Sequence, residues 1–137
     1  MRSLELEVRT GRARGFTDLT AACEQFAAEA SNGGDGLLSV FVPHATAGLA
    51  ILELGSGSES DGMAAIDRLL PRDDRYAHRH GTRGHGADHL LPLFAGPSVT
   101  VPVVDGRLAL GTWQSIALLD PNGDNETRRV RLSFLAG

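Results

Sequence analysis

Lysine is missing altogether from this 137-residue chain; all 13 basic residues are arginine. That excludes a Schiff-base lysine and a phosphate-loop lysine. Cysteine occurs once, at Cys23, so there is no intrachain disulfide and no multi-cysteine zinc or iron–sulfur site. An excess of positive charge is lacking too: 17 acidic residues give a formal net charge of −4, which argues against non-specific nucleic-acid binding. No apolar run approaches the roughly 20 residues of a membrane span. The opening MRSLELEVRTGRARG has no apolar signal-peptide core. A cytoplasmic protein with neither membrane nor nucleic-acid partner is the expectation. There is no G-x-S-x-G elbow and no G-x-G-x-x-G between a strand and a helix, so dinucleotide binding has no support. What is present suits a globular core: 42 % apolar and 22 % charged residues, with no internal repeat and no linker. One domain spanning residues 1–137 is expected.

Leu4, Leu6 and Val8 alternate with Glu5, Glu7 and Arg9, which predicts a half-buried strand. GRARGFTD then reads as a basic, glycine-punctuated turn. Leu19, Cys23, Phe26 and Ala30 fall at helical spacing and predict a helix from Thr20 to Ala30, stopped at Ser-Asn-Gly-Gly. GLLSVFVP predicts a buried strand, followed by a second apolar run from Leu49 to Leu52. The last serine of GSGSES is placed to cap a helix from about Asp61 to Leu70, ended by Pro71. Residues 71–88 carry no apolar period, and long ordered loops in small domains often serve function. A short helix at Leu90 to Phe94 precedes strands at Val99 to Val104 and Arg107 to Leu110, joined at Asp105-Gly106. Strands at Gly111 to Leu119 and Arg128 to Leu135 complete the pattern. About seven strands with few crossover helices predict an α+β fold: a two-layer sandwich of mostly antiparallel strands with two or three flanking helices.

The histidines are the most informative residues. His78, His80, His85 and His89 lie within twelve residues, and His44 directly follows a buried strand. Three imidazoles and a water make an open, catalytic-type zinc site; the alternative is a solvated loop. His85 and His89 are four apart, but Gly86 argues against a helix there. Glu53, in ILEL, is either an outward strand residue or a buried general base or histidine partner. Asp61 suits the first turn of a helix. Trp113 and Gln114 would face opposite sides of a strand, with Trp113 in the core and Gln114 toward ligand or solvent. Thr46 either binds phosphate or closes a turn. Arg128, Arg129 and Arg131 form either an anion site or a polar strand face. Cys23 reads as a core residue.

Taken in order, His44-Ala45-Thr46-Ala47-Gly48-Leu49, Glu53, Tyr76-Ala77-His78, His89-Leu90, Gly96-Pro97-Ser98, Val101-Pro102-Val103, Asp105-Gly106-Arg107-Leu108 and Leu110-Gly111-Thr112-Trp113-Gln114 closely resemble the YjbQ-like family, also labelled secondary thiamine-phosphate synthase. The resemblance runs from the turn at Arg14 to Arg131. It implies a compact α+β sandwich assembled as a homotrimer. It also implies a divalent-metal pocket, with zinc as the metal and His44, His78 and His89 as ligands. By position, Glu53 matches the family glutamate, Gln114 the glutamine of the TWQ segment, and Asp61 an aspartate opening the next helix. Thr46 keeps a hydroxyl next to Ala45, where the family carries Thr or Ser, and Leu52 replaces an Asn. His80 and His85 have no counterpart and read as loop residues. Glu53, Gln114 and Thr46 are thus the expected catalytic residues, with Arg129 and Arg131 as phosphate binders. The implied function is metal-dependent action on a small phosphorylated or carbonyl compound, with thiamine-phosphate synthesis as a secondary activity. Two alternatives stand beside it: a non-catalytic trimeric module that binds a small ligand or metal, and histidines that merely tie subunits together.

Overall fold

A computed structural model describes all of residues 1–137. In chain order it holds β1 (Arg2–Arg9), β2 (Gly15–Asp18), α1 (Thr20–Ser31), β3 (Gly36–Phe41), β4 (Gly48–Leu52), α2 (Ser58–Leu69), a short α3 (His85–Asp88), a 3₁₀ turn (Leu91–Leu93), β5 (Ser98–Val104), β6 (Arg107–Leu108), β7 (Ser115–Asp120) and β8 (Thr127–Ala136). The strands form two antiparallel sheets, one in the order β1-β8-β3-β5-β6 and one in the order β2-β7-β4. This is the α+β sandwich expected from the strand pattern.

The inward residues of the larger sheet, among them Leu38, Val40, Val101, Val103, Val130, Leu132 and Phe134, meet Leu49, Ile116 and Leu118 of the smaller one. α1 adds Cys23, Phe26 and Ala27 to this core, as its helical spacing predicts. It ends where Asn32 turns left-handed at φ 51°. β7 is buried along nearly its whole length because it is covered on both faces. Leu118 points to the main core, while its neighbour Leu119 joins Leu70, Ala87, Leu91 and Ala95 in a second cluster on the far side. That second cluster seats α2 and the segment carrying α3, and so fixes the floor beneath residues 71–90.

Four local expectations are corrected. GRARGFTD is not only a turn: Gly15–Asp18 pairs with β7, and Phe16 packs on the second cluster. α2 starts at Ser58 rather than Asp61, because the Glu59 carboxylate folds back to accept the Gly55 N–H at 2.8 Å. Helical structure does run through Gly86, which permits a close approach: a Cβ there would lie 2.6 Å from the His78 carbonyl and 2.9 Å from Tyr76 Cβ. Finally, Gly111 to Gln114 closes as a turn before β7 begins, with Gln114 N donating to Gly111 O at 3.0 Å. The strand rule of opposite faces therefore does not apply, and Trp113 is 73 % exposed rather than core. The Asp105-Gly106 hairpin is as expected, with both residues at positive φ (49° and 77°).

Candidate functional site

Residues 71–84 fold over α3 and bring the four loop histidines into one group. The glycine at 86 lets the Tyr76–His78 backbone lie directly on α3, and Tyr76 Oη anchors that segment on Pro71 O at 2.8 Å. His85 and His89 stand one helical turn apart, with their Nε2 atoms 2.9 Å from each other. The His78 ring sits 3.9 Å from His80 and 4.2 Å from His89, centroid to centroid. One ligand nitrogen from each of His78, His80, His85 and His89 lies within 4.8 Å of all the others. Desolvation lowers the His78 pKa below its ordinary value, and His80 and His85 lower it further. His89 is lowered by the same causes, burial first and then its histidine neighbours. Both shifts favour the uncharged ring, the form in which imidazole ligates a metal. The group opens onto a cleft of about 440 Å³ whose wall carries Arg79, Thr82 and Arg83. Neither Arg79 nor Arg83 makes an ion pair.

Behind the histidines lies a polar scaffold. Asp88, 1 % exposed, is paired with Arg72 and accepts from Asn122 Nδ2 at 2.8 Å. Asp124 lies 3.2 Å from His85 Nδ1 and accepts from Thr82 Oγ1 at 3.0 and 3.1 Å. Burial disfavours the Asp124 charge, but the hydrogen bonds from Thr82, Asn122 and His85 outweigh it and hold the carboxyl below its usual range.

The other expected site residues are placed elsewhere. His44 is not part of the group: its Nε2 accepts the Arg129 backbone N–H at 2.9 Å. Burial lowers the His44 pKa, and the nearby Arg128 and Arg129 charges lower it further. Thr46 is buried, and its hydroxyl accepts from Arg128 Nη2 at 3.0 Å. Arg129 and Arg131 are exposed and face Glu5 on β1, at 3.7 and 3.1 Å. Glu53 is exposed just beyond β4 and forms no side-chain hydrogen bond, and Asp61 lies exposed in the first turn of α2. Gln114 Oε1 accepts the Gly111 N–H at 2.8 Å. So the structure joins His78 and His89 to His80 and His85, and no hydrogen bond ties Glu53, Gln114, Thr46, Arg129 or Arg131 to that group. The two neighbourhoods do share one loop: Asp120 pairs with Arg128 and accepts from Asn122 N at 3.0 Å, while the Asn122 side chain reaches Asp88.

The sequence pattern alone reads His80 and His85 as loop residues and does not point to Asp88, Asn122 or Asp124. The density of histidine was the available signal for the first two. Nothing local marks the last three, whose roles come from a loop folded in from 34 to 39 residues away.

A family model described as UPF0047 protein YjbQ-like matches residues 4–137. UPF0047 protein Rv2556c of Mycobacterium tuberculosis H37Rv is 59 % identical over 132 residues, covering 96 % of this chain and 96 % of that protein. A UPF0047 protein of Archaeoglobus fulgidus is 37 % identical over 133 residues, covering 96 % of this chain and all of the other. Among solved structures, the hypothetical protein APE1520 of Aeropyrum pernix K1 superposes with a TM-score of 0.90 at 32 % identity, covering 100 % of both chains. A protein of Sulfolobus solfataricus P2, described as YbjQ-like and of unknown function, gives 0.91 at 26 % identity, covering 99 % of this chain and 97 % of that one.

Proposed function

The chain belongs to the YjbQ-like UPF0047 family, and from that premise we propose that its histidine cleft holds a divalent metal, zinc, and acts on a small phosphorylated or carbonyl compound. The observation that carries the reading is the convergence of His78, His80, His85 and His89 nitrogens within 4.8 Å. The donor set fits the ion. Nitrogens around a tetrahedral zinc stand about 3.3 Å apart, so a 4.8 Å spread closes by about 1.5 Å, within reach of the exposed His78 and His80. This reading takes His80 and His85 in place of His44, whose Nε2 lone pair is already engaged by the Arg129 amide. When bound, such an ion would supply Lewis acidity toward a phosphate or carbonyl oxygen only by expanding beyond its four imidazoles to admit that oxygen. The protein's own part is to seat the anion. Arg79 and Arg83 face the cleft without carboxylate partners, in the role first expected of Arg129 and Arg131. Thiamine-phosphate synthesis, implied by the family resemblance, is placed here as a secondary activity. A cytoplasmic location and a homotrimer belong to the same proposal. The exposed Trp113, Leu93 and Phe94 support self-association, and no helix is long and apolar enough to cross a membrane.

A second reading has its own support. Four imidazoles fill a tetrahedral ion and leave no position for water, and Glu53 makes no contact with the group. Both favour a module that binds metal without turnover.

Elemental mass spectrometry of tag-free protein, native and His89→Ala, tests both readings. About one zinc per chain that disappears in the variant is the expected result. Metal-free protein after incubation with zinc overturns both. If zinc is present, hydrolysis or transfer on a panel of phosphorylated small molecules, dependent on Arg79 and Arg83, supports the enzyme. Binding with no turnover leaves the module.

A further inference from the structure

The four imidazoles are not equally held. His78 and His80 are exposed and form no hydrogen bond through their rings. His85 is gripped on the side away from the cluster: its Nδ1 lies 3.2 Å from Asp124 Oδ2 and 3.3 Å from Asn122 Nδ2. The geometry points to Asp124 as a positioning residue that fixes the tautomer of His85 and aims its Nε2 lone pair at the metal position. This rests on the reading that the cluster binds metal.

The argument is one of donors and acceptors. A histidine nitrogen ligates only through a lone pair, so Nε2 is available when the ring proton sits on Nδ1. Two arrangements compete at Nδ1. In the first, Nδ1 accepts from Asn122 Nδ2, and its lone pair then faces the Asp124 oxygen at 3.2 Å, acceptor against acceptor. In the second, Nδ1–H donates to Asp124 Oδ2. One amide hydrogen of Asn122 is then spent on Asp88 at 2.8 Å and the other on the same Asp124 oxygen at 3.3 Å. Both arrangements give the donors acceptors, but only the second leaves no lone pair facing the Asp124 carboxylate at 3.2 Å. In that arrangement the 2.9 Å contact between the two Nε2 atoms has His89 Nε2–H donating to the His85 lone pair.

Asp124 is itself aimed. Its carboxylate accepts from Thr82 Oγ1, and its backbone N–H donates to Asn122 Oδ1 at 2.9 Å. Those contacts clamp the loop between β7 and β8 onto the histidine loop. A carboxylate behind a ligating imidazole raises its basicity and removes its rotational freedom, and loss of such a partner costs about 10–100-fold in metal affinity.

The test is a zinc titration of the full chain against a chromogenic chelator, for native protein, Asp124→Ala, Asp124→Asn, Thr82→Val and His89→Ala. It is paired with nitrogen-15 NMR of the histidine rings in metal-free native protein and Asp124→Ala. The expected result is one zinc per chain for native protein and no tight zinc for His89→Ala. Asp124→Ala should keep the one-to-one stoichiometry but bind about 10–100-fold more weakly, with smaller losses for Asp124→Asn and Thr82→Val. The NMR should show the His85 proton on Nδ1 in native protein and on Nε2 in Asp124→Ala. A shift in tautomer is not something a merely structural role would produce. If native protein binds zinc and Asp124→Ala binds it equally well with an unchanged tautomer, the positioning role is overturned while the metal site stands. If native protein binds no zinc, the metal reading fails. An unprotonated His85 Nδ1 in native protein refutes the role of Asp124 whatever the zinc result.

Discussion

Replacing Arg128 by methionine should destabilise the protein more than any change at the exposed arginines. Arg128 and Asp120 are buried side chains, 2 % and 3 % exposed, with Nε and Nη2 donating to the two carboxylate oxygens at 2.7 and 2.9 Å. The same guanidinium holds the Thr46 hydroxyl at 3.0 Å. In Arg128→Met the Asp120 carboxylate stays buried with the Asn122 N–H as its remaining donor. Stranding one partner of a buried pair costs about 3–5 kcal/mol, a large share of the roughly 5–15 kcal/mol that holds a domain together. For 137 residues this corresponds to a fall in melting temperature of about 10–17 °C. Replacing both partners with apolar residues, Arg128→Met with Asp120→Leu, should recover most of the loss, because the desolvation penalty disappears together with the attraction. Urea unfolding followed by circular dichroism reads both variants. A single variant that loses less than about 1 kcal/mol at an unchanged denaturant slope would refute the argument. So would a double variant no better than the single one.

Two further predictions concern titration. His78 and His89 are held below the ordinary histidine value, so protons compete for these two nitrogens at lower pH than for a free imidazole; an NMR titration of the metal-free protein should place both below a free-histidine reference, and either ring titrating at or above it contradicts the shifts. Cys23 is fully buried and its thiol is pushed up to about 12, by desolvation first and then by Asp18 and Glu24. The unfolded thiol ionises from about pH 8.5 while the folded one keeps its proton, so stability should decline with rising pH between these values, by about 1.4 kcal/mol per unit. Cys23→Ala should flatten that slope, and the native thiol should resist labelling at pH 8 until denaturant is added.

Periodicity exposed most of the sandwich. The Leu4-Leu6-Val8 alternation, the helical spacing through Cys23 and Phe26, and the Asp105-Gly106 turn each state a local preference that the fold keeps. It failed where a contact distant in sequence decides the local structure. Gly15–Asp18 becomes a strand because β7 offers a partner edge, and Gly111–Gln114 becomes a turn that a side-chain amide closes. The site shows the same division. Histidine density marked His78, His80, His85 and His89, but their grouping depends on Gly86 letting two backbones touch. Their support comes from Asp124, which carries no local signature of its role. His44, in contrast, stood out because it follows a buried strand, and that position is what hands its Nε2 to a backbone amide of β8.

The order of the larger sheet has a consequence for how the chain assembles. β8, formed from residues 127–136, sits between β1 and β3. Until it is made, β1 has no partner strand and β3 has only β5, because the strand between them is absent. Folding is thus gated by a contact between residues more than a hundred positions apart, the kind of closure that makes β-rich domains slow. The charged outer face of β1, Glu5 and Glu7 awaiting Arg131 and Arg129, then acts as a guard: its acidic row does not zip onto the same row of a second unfinished copy, and only the arriving arginine row completes it.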